Sequence, residues 1–244
     1  MNGQTVGVLG GMGPAATVDF LARIIAATPA ERDQDHLHVL VDCNPQVPDR
    51  SAFLRSEGPD PRPSLVAMAK GLEQAGAGFL VMACNTAHAF AEDIRAEVAI
   101  PLVDWPSVVA DAVSVAGVKR VGILASTGTL DANIYRIPLE ARGIRSVVPT
   151  PTGQARVVRA IYGPEGVKRL GPGSQVARRD LLAGAEDVVG QGATAVILAC
   201  TEFSAVRALG ELDVKVPVFD ASEIVARHVV SLALGRKLPV EAVR

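Results

Sequence analysis

The sequence Phe79-Leu-Val-Met-Ala-Cys84-Asn-Thr recurs 116 residues later as Ala195-Val-Ile-Leu-Ala-Cys200-Thr-Glu. At the same offset Ile100-Pro-Leu-Val-Asp104 recurs as Val216-Pro-Val-Phe-Asp220, and Val6-Gly-Val-Leu9 recurs 115 residues later as Val121-Gly-Ile-Leu124. Each block is a short apolar run, typical of a strand buried on both faces of a parallel sheet. Three blocks at nearly one offset indicate an internal repeat, and therefore two similar halves.

Outside the repeated blocks, short apolar runs alternate with longer amphipathic segments. The predicted strands are 6–9, 37–41, 79–83, 101–104, 120–125, 146–148, 195–199 and 216–219. The predicted helices are about 15–27, 64–75, 87–97, 107–116, 129–142, 154–162, 174–190 and 222–234. This βαβα order predicts an α/β fold of two similar, pseudo-symmetric domains. We expect each domain to be a mainly parallel sheet flanked by helices, with the active site in the cleft between them.

The composition excludes several functional classes. The 244 residues are 49% hydrophobic and 20% charged, with a net charge of -2 and no basic tract. These features argue against a nucleic-acid partner. No apolar run approaches the roughly 20 residues of a membrane span. The N-terminus lacks the basic region of a signal peptide, so we expect a cytoplasmic protein.

Three cysteines form no C-x-x-C pair, so we expect free thiols rather than a disulfide framework. Cys84 and Cys200 occupy equivalent positions of the repeat, each at the carboxyl end of a strand, where ligands of open α/β sheets bind. Amide groups at a following helix N-terminus favour a thiolate there. Cys43 has no counterpart in the second half, and we interpret it as structural.

Two irregular stretches carry basic residues. The longer, 44–63, contains five prolines and Arg50; the other, 163–173, contains Lys168 and is rich in glycine and proline. Each stretch is either a solvated surface loop or a lid that brings a cation to an anionic substrate.

Paired thiols suit one reaction in particular. A thiolate on one face of a carbon can remove the proton α to a carboxylate, while a thiol on the other face returns a proton. The product is the mirror image of the substrate. A pseudo-symmetric chain with one cysteine in each half fits this near-symmetric chemistry.

The chain resembles the aspartate racemases of the cofactor-independent Asp/Glu/hydantoin racemase superfamily. The matching blocks are Gly10–Thr17, Asn44–Arg50, Asp60–Pro63, Cys84–Phe90, Ser126–Thr129 and Cys200–Glu202. The resemblance implies a racemase of L- and D-aspartate that needs neither pyridoxal phosphate nor metal, with an amino acid as its small-molecule partner and a homodimer as its assembly. It also implies a first domain of 1–114 plus 218–244, whose C-terminal helix returns to it, and a second domain of 115–217.

The same resemblance assigns the site residues. Cys84 and Cys200 match the catalytic pair, and Asn85, Thr86, Thr127 and Thr201 match positions that bind the α-carboxylate and amine. Met12 matches the loop that lines the cleft. Arg50 and Lys168 match the basic residues that approach the side-chain carboxylate.

Two further residues are supporting candidates, Glu202 and Thr129. The Thr-Glu after Cys200 replaces the Thr-His of glutamate racemases, which favours aspartate as substrate. Glu202 could orient or deprotonate a group near Cys200, or it could cap the following helix. The glycines and proline after Lys168 depart from the family pattern and leave the closure of the 163–173 loop open.

Several other functions remain open at this point. The sequence Gly11-Met-Gly13-Pro-Ala-Ala16 is a loose nucleotide-binding pattern, but the acidic Asp42 lies 31 residues after Gly11, where about 20 is expected. His36-x-His38 and Cys84-x-x-x-His88 are fragments of a zinc pattern without a completing ligand. Within the superfamily, a glutamate or broad-specificity racemase, a maleate isomerase or a hydantoin racemase would also fit. A non-catalytic amino-acid-binding protein is the alternative outside enzymes.

Overall fold

Two parallel sheets organise the chain in the computed structural model, which describes residues 3–210 and 212–235. The first sheet has the strand order β2-β1-β3 and the second the order β5-β4-β6-β7. The strands are β1 Val6–Gly10, β2 Val39–Cys43, β3 Phe79–Met82, β4 Arg120–Leu124, β5 Arg145–Val147, β6 Ala195–Leu198 and β7 Val218–Asp220. The predicted α/β class with parallel sheets is confirmed.

Helices flank both sheets. They are α1 Pro14–Ala27, α2 Arg50–Leu54, α3 Arg62–Gln74, α4 Ala91–Arg95, α5 Trp105–Val115, α6 Thr127–Asp131, α7 Arg136–Glu140, α8 Pro151–Tyr162, α9 Val167–Leu170, α10 Gln175–Gly190, α11 Thr201–Ala208 and α12 Ala221–Ala233. Two 3-10 helices, Asp33–Asp35 and Thr86–Phe90, complete the helical elements of the described chain.

The strand register reproduces the sequence repeat. Val6 of β1 is the partner of Phe79 in β3, and Val121 of β4 is the partner of Ala195 in β6. In the second half Val218 pairs with Val196, which makes β7 a fourth strand. The predicted strand 101–104 forms only a single bridge, between Leu80 and Leu102, at the equivalent place of the first half. That prediction was therefore wrong in extent but right in position.

Other predicted elements differ from the structure. The predicted helix 129–142 is divided into α6 and α7, and Asn133 between them has a positive φ of 54°, a conformation that asparagine tolerates better than most residues. Strand 37–41 lies two residues further on, as the half-exposed edge strand β2. The stretches predicted as irregular, 44–63 and 163–173, contain α2 and α9. The sequence reading did not predict α11.

The largest group of buried apolar side chains lies between the two sheets and belongs to both halves. It includes Phe20 of α1, Trp105 of α5, Tyr135 and Phe219 of β7. Helix α12 packs on α1 and α5 of the first half, whereas β7 immediately before it belongs to the second sheet. The chain thus crosses back at this point, and the domain limits 114/115 and 217/218 stay a prediction.

Arg23 of α1 joins elements from the end of the chain. Its guanidinium donates to Asp19 at 2.7 Å, to the backbone carbonyl of Ser204 at 2.7 Å and to Glu223 at 3.1 Å. The same group forms an ion pair of 3.1 Å with the buried Asp220. These contacts fix α1 against α11 and α12, so the two halves meet in a defined orientation.

Glycines at equivalent positions of β1 and β4 permit close helix packing. A Cβ atom on Gly122 would lie 2.4 Å from Cγ2 and 2.9 Å from Cβ of Val188 in α10. A Cβ on Gly7 would lie 3.4 Å from Leu72 of α3, 2.9 Å from Ala77 just after that helix, and 2.7 Å from Leu80 of β3. The repeated Val-Gly pair therefore reflects helix-to-sheet contact rather than ligand binding.

We predict that Gly122→Ala lowers the free energy of unfolding by about 1–3 kcal/mol, because α10 has to move away from the sheet. Urea unfolding measures this change. Gly190→Ala, at the end of the same helix with open space around it, is the matched control and should cause no loss. Equal stability of both variants would contradict the close-packing interpretation.

Candidate functional site

A cavity of about 350 Å³ opens beside the carboxyl ends of β1 and β2 and receives residues of the second half. Its walls are Gly11–Ala16 between β1 and α1, Pro45, Val47, Asp49 and Arg50 after β2, Val167 and Lys168 of α9, and Glu202 and Ala205 of α11. The stretches 44–63 and 163–173, for which a lid was one interpretation, thus meet across one cavity.

The two repeated cysteines are both buried next to this cavity. Cys84 follows β3 and is 5% exposed, and Cys200 follows β6 and is 8% exposed. Both are free thiols. Each cysteine contacts a charged residue that lines the cavity: Cys84 contacts Arg50, and Cys200 contacts Glu202. The repeat therefore brings one thiol from each half to the same region.

Glu202 connects Cys200 to Lys168. Cys200 Sγ donates to Glu202 Oε2 at 3.0 Å, and Lys168 Nζ donates to Glu202 Oε1 at 2.6 Å. Thr201 Oγ1 adds a further contact to Oε2 at 3.3 Å. The sequence left open whether Glu202 supports Cys200 or caps α11; these contacts place its carboxylate on the thiol.

The charges in this chain of contacts shift three pKa values. Burial and the Glu202 carboxylate raise the pKa of the Cys200 thiol well above its ordinary value. Burial would raise the pKa of Glu202, but the Lys168 charge and the hydrogen bonds from Cys200 and Lys168 lower it. Burial opposes the charge on Lys168, but Glu202 raises its pKa. At neutral pH the group is therefore a thiol, a carboxylate and an ammonium.

Arg50 is fixed by the backbone. Its Nη1 donates to the carbonyls of Val47 and Pro48 at 3.1 and 2.9 Å, and its Nη2 donates to Met12 at 3.3 Å. Its Nε is buried without a hydrogen-bond partner among the described residues. Although burial opposes the charge of Arg50, the neighbouring Cys84 raises its pKa. Arg50 is thus a cation held in a fixed position at the start of α2, and its Nε–H remains available to donate a hydrogen bond to an anion.

Three hydroxyl groups link the halves beside Cys84. Thr86 Oγ1 lies 3.0 Å from Ser126 Oγ and 2.8 Å from Thr129 Oγ1, and Ser126 and Thr129 are 3.0 Å apart. All three side chains are buried. Ser126 was not among the predicted site residues, although its position as the N-cap of α6 marks the turn at the end of β4.

Asn85 also forms a bond across the halves, because the hydroxyl of Tyr135 donates to its Oδ1. Sequence reading missed Tyr135, which lies in the predicted helix 129–142 with no motif around it. It also missed Asp49, which lines the cavity and caps α2; an Asp just before a helical run is the signal that could have found it.

The other predicted residues take different positions. Met12 is buried and lines the cavity, and Thr201 is buried at the start of α11. Thr127 begins α6, is partly exposed and is not among the residues that line the cavity. Cys43 is exposed at the end of β2.

Two absences hold for the described part of the chain. Residues 3–210 and 212–235 contain no group of three or more His, Cys, Asp or Glu side chains arranged to hold a metal ion. Within the same ranges, no helix has the length and apolar character needed to cross a bilayer.

The model of the Asp/Glu/Hydantoin racemase family matches residues 9–229. The chain belongs to this family. It is 26% identical over 238 residues to the broad specificity amino-acid racemase of Bacillus subtilis, covering 94% of this chain and 98% of the relative. It is 33% identical over 175 residues to the glutamate racemase of Pseudomonas aeruginosa, covering 68% of this chain and 62% of the relative.

Solved structures give the same assignment. The aspartate racemase of Picrophilus torridus has a TM-score of 0.81 at 28% identity, and the match covers 97% of this chain and 96% of that one. The two-domain α/β fold and the racemase class, an isomerase, are therefore confirmed.

Helix α2, which begins with Arg50, packs on α6 of the other half at Gly128. A Cβ on Gly128 would lie 2.6 Å from Ser51 Oγ and 2.9 Å from Ser51 Cα. Because one of these atoms is backbone, a larger residue would displace α2 and, with it, Arg50.

We predict that Gly128→Ala increases amide hydrogen exchange in the peptide containing residues 50–54 about tenfold, since the variant destabilises the packed form of α2 locally. Mass spectrometry of exchanged peptides measures this rate. Gly173→Ala, which meets open space, should leave the rate unchanged. An unchanged rate in Gly128→Ala would show that α2 does not depend on this contact.

Proposed function

We propose that this protein is an amino-acid racemase that interconverts L- and D-aspartate, using Cys84 and Cys200 as a two-base pair without a cofactor. One observation carries the proposal. Each cysteine ends a strand at the equivalent position of the repeat, and each contacts a charged residue of the same cavity wall. The family membership supports the reaction class.

In the proposed reaction one thiolate takes the α-proton of the bound amino acid. The electron pair of the broken C–H bond is delocalised into the α-carboxylate, and the opposing thiol donates its proton to the other face of the carbon. The first cysteine ends as a thiol and the second as a thiolate, so nothing is oxidised or reduced. The reverse reaction exchanges the two roles.

The surroundings of the two thiols differ. Cys200 donates a hydrogen bond to Glu202, whose negative charge raises the pKa of the thiol. Cys84 has the Arg50 guanidinium as its charged neighbour instead. We infer that Cys200 is protonated in the resting enzyme.

Substrate binding follows from the donors near the cysteines. Asn85, Thr86, Thr127 and Thr201 are proposed to hold the α-carboxylate and amine, with Met12 against the substrate and Thr129 supporting Thr86. Arg50 offers its unpartnered Nε to a distal carboxylate. The aspartate racemase of Picrophilus torridus supports aspartate as the substrate.

A broad substrate range is the second candidate, and one contact favours it. Lys168 is already paired with Glu202 at 2.6 Å, so a distal carboxylate has to compete with Glu202 or bind through Arg50 alone. A site with one uncommitted cation discriminates less strongly between acidic and neutral side chains. The broad specificity racemase of Bacillus subtilis is similar along 94% of this chain. The homodimer implied by the resemblance remains part of the proposal.

We predict that the protein, incubated with L-aspartate in D₂O without added cofactor, incorporates deuterium at the α-carbon and loses optical rotation. Proton NMR and polarimetry follow the two changes, with L-glutamate and L-alanine in parallel.

We predict that Cys84→Ser and Cys200→Ser each lower racemisation by about 10²-fold or more, the range of acid–base catalysis. Cys43→Ser, which changes the exposed third thiol, is the matched control.

The substrates distinguish the two candidates. Exchange in aspartate alone supports an aspartate racemase, and exchange in all three amino acids supports a broad-specificity enzyme. No exchange with any of them, from folded protein with reduced thiols, would contradict the proposed function. Wild-type turnover in either cysteine variant would contradict the two-thiol mechanism.

We predict opposite effects of Glu202→Gln on two measurements. Removal of the carboxylate takes away a negative charge that raises the pKa of Cys200, so a larger thiolate fraction forms at a given pH. Iodoacetamide should therefore alkylate Cys200 faster, with the pH profile shifted to lower pH, in a Cys43→Ser, Cys84→Ser background. In a background with all cysteines present, racemisation should fall. The exposed Glu186→Gln should change neither, and slower alkylation in Glu202→Gln would reverse the assigned role of this charge.

A further inference from the structure

Tyr135 is a buried polar residue that takes no part in the proposed proton transfer. It lies immediately before α7, is 1% exposed and belongs to the apolar core between the sheets. Its hydroxyl donates to Asn85 Oδ1, which is in the other half of the chain and next to Cys84. Among the described residues, this phenol in an apolar core therefore has a single polar partner of clear geometry, and that partner is in the candidate site.

The direction of this hydrogen bond follows from its surroundings. Burial raises the pKa of Tyr135 well above its ordinary value, so the phenol keeps its proton. The indole N–H of Trp105 has no hydrogen-bond partner of good geometry in the part of the chain that the structure describes, but it lies close enough to the phenol oxygen to lower this pKa against burial. Because an indole can only donate, it faces a lone pair of the phenol. The phenol proton is then left for Asn85 Oδ1.

Because the Oδ1 atom of Asn85 accepts the hydrogen bond from Tyr135, the Nδ2 atom of the same amide points away from Tyr135. Asn85 is 3% exposed, and its Nδ2 is buried with no hydrogen-bond partner in residues 3–210 and 212–235. A buried unpaired donor is unfavourable until an acceptor arrives, and an anionic acceptor forms the stronger bond. If the amide were reversed, its carbonyl oxygen would face the incoming carboxylate and repel it.

The backbone around Asn85 is held independently of Tyr135. His88 Nδ1 lies 3.0 Å from the carbonyl oxygen of Cys84 and 3.2 Å from that of Asn85. Both acceptors are carbonyls, so this nitrogen carries the proton. Tyr135 therefore acts on the Asn85 side chain rather than on the path of the main chain.

We propose that Tyr135 is a positioning residue: it fixes the amide of Asn85 so that the site presents an NH₂ group, not a carbonyl oxygen, to the substrate carboxylate. This inference rests on the proposed function, because it assumes that a carboxylate binds next to Cys84. It adds a residue of the second half to the recognition of a group held by the first half.

The test is a double-mutant cycle of Tyr135→Phe and Asn85→Ala, with kcat and KM for L-aspartate measured in all four proteins. Tyr135→Phe removes one oxygen and keeps the ring in the core. We expect it to raise KM about tenfold in the wild-type background and to have no further effect in the Asn85→Ala background. Thr28→Val removes another buried hydroxyl, one bonded to the carbonyl of Ile24, and should leave KM unchanged.

A structural role for Tyr135 would give a different result. If Tyr135→Phe acted only by loosening the core, it would lower activity by the same factor in both backgrounds and lower the urea midpoint in parallel. That outcome overturns the proposal. An unchanged KM in the wild-type background overturns it as well.

Binding of succinate separates this inference from the proposed function. Calorimetry with succinate as a non-reacting carboxylate probe should show binding to the wild-type protein and about tenfold weaker binding to Tyr135→Phe. If aspartate is not racemised but this difference is present, the proposed function fails and the carboxylate site remains. If succinate binds both proteins equally, or neither, the role of Tyr135 is refuted whether or not racemisation occurs.

Discussion

Burial of the Glu202 carboxylate beside a thiol constrains the whole site. A buried carboxylate without a partner is strongly unfavourable, and Lys168 of α9 is the cation that pairs with it. The pair holds the 163–173 segment against α11 and sets one wall of the cavity. It also keeps Cys200 as a thiol, because a second negative charge at 3.0 Å from the carboxylate would be repelled. The position of α9, the protonation of Cys200 and the remaining space for a ligand are thus coupled.

The pseudo-symmetry of the chain is a symmetry of strands and not of electrostatics. Cys84 and Cys200 follow equivalent strands, but Asn85 and Thr86 occupy the positions that Thr201 and Glu202 occupy in the other half. Asn85 and Thr86 bond to polar groups across the halves, whereas Glu202 binds the neighbouring thiol. The two thiols therefore lie in different electrostatic surroundings although the strands that position them are equivalent.

The site also depends on the fixed orientation of the two halves. The core between the sheets, the Arg23 contacts and the Thr86–Ser126–Thr129 hydroxyl cluster all cross from one half to the other. Each is buried or partly buried, so separation would expose apolar surface and unpaired polar groups together. The proposed proton transfer between opposing thiols requires this kind of preorganisation, because it depends on placing both sulfurs within reach of one carbon.

The sequence alone determined the repeat, the parallel sheets and the placement of Cys84 and Cys200, because strand patterns and strand ends are local features. The sequence left Arg50 and Lys168 as either solvated or lid residues, and the resemblance to racemases matched both to the site. Glu202 was a supporting candidate of open role. Tertiary structure decided how these side chains are used: Lys168 pairs with Glu202, Arg50 is held by backbone carbonyls, and Tyr135 orients Asn85. Tyr135 and Asn85 are 50 positions apart, and no local spacing encodes their contact. It exists because packing of one sheet against the other brings α7 beside the end of β3, and only the folded chain fixes that distance.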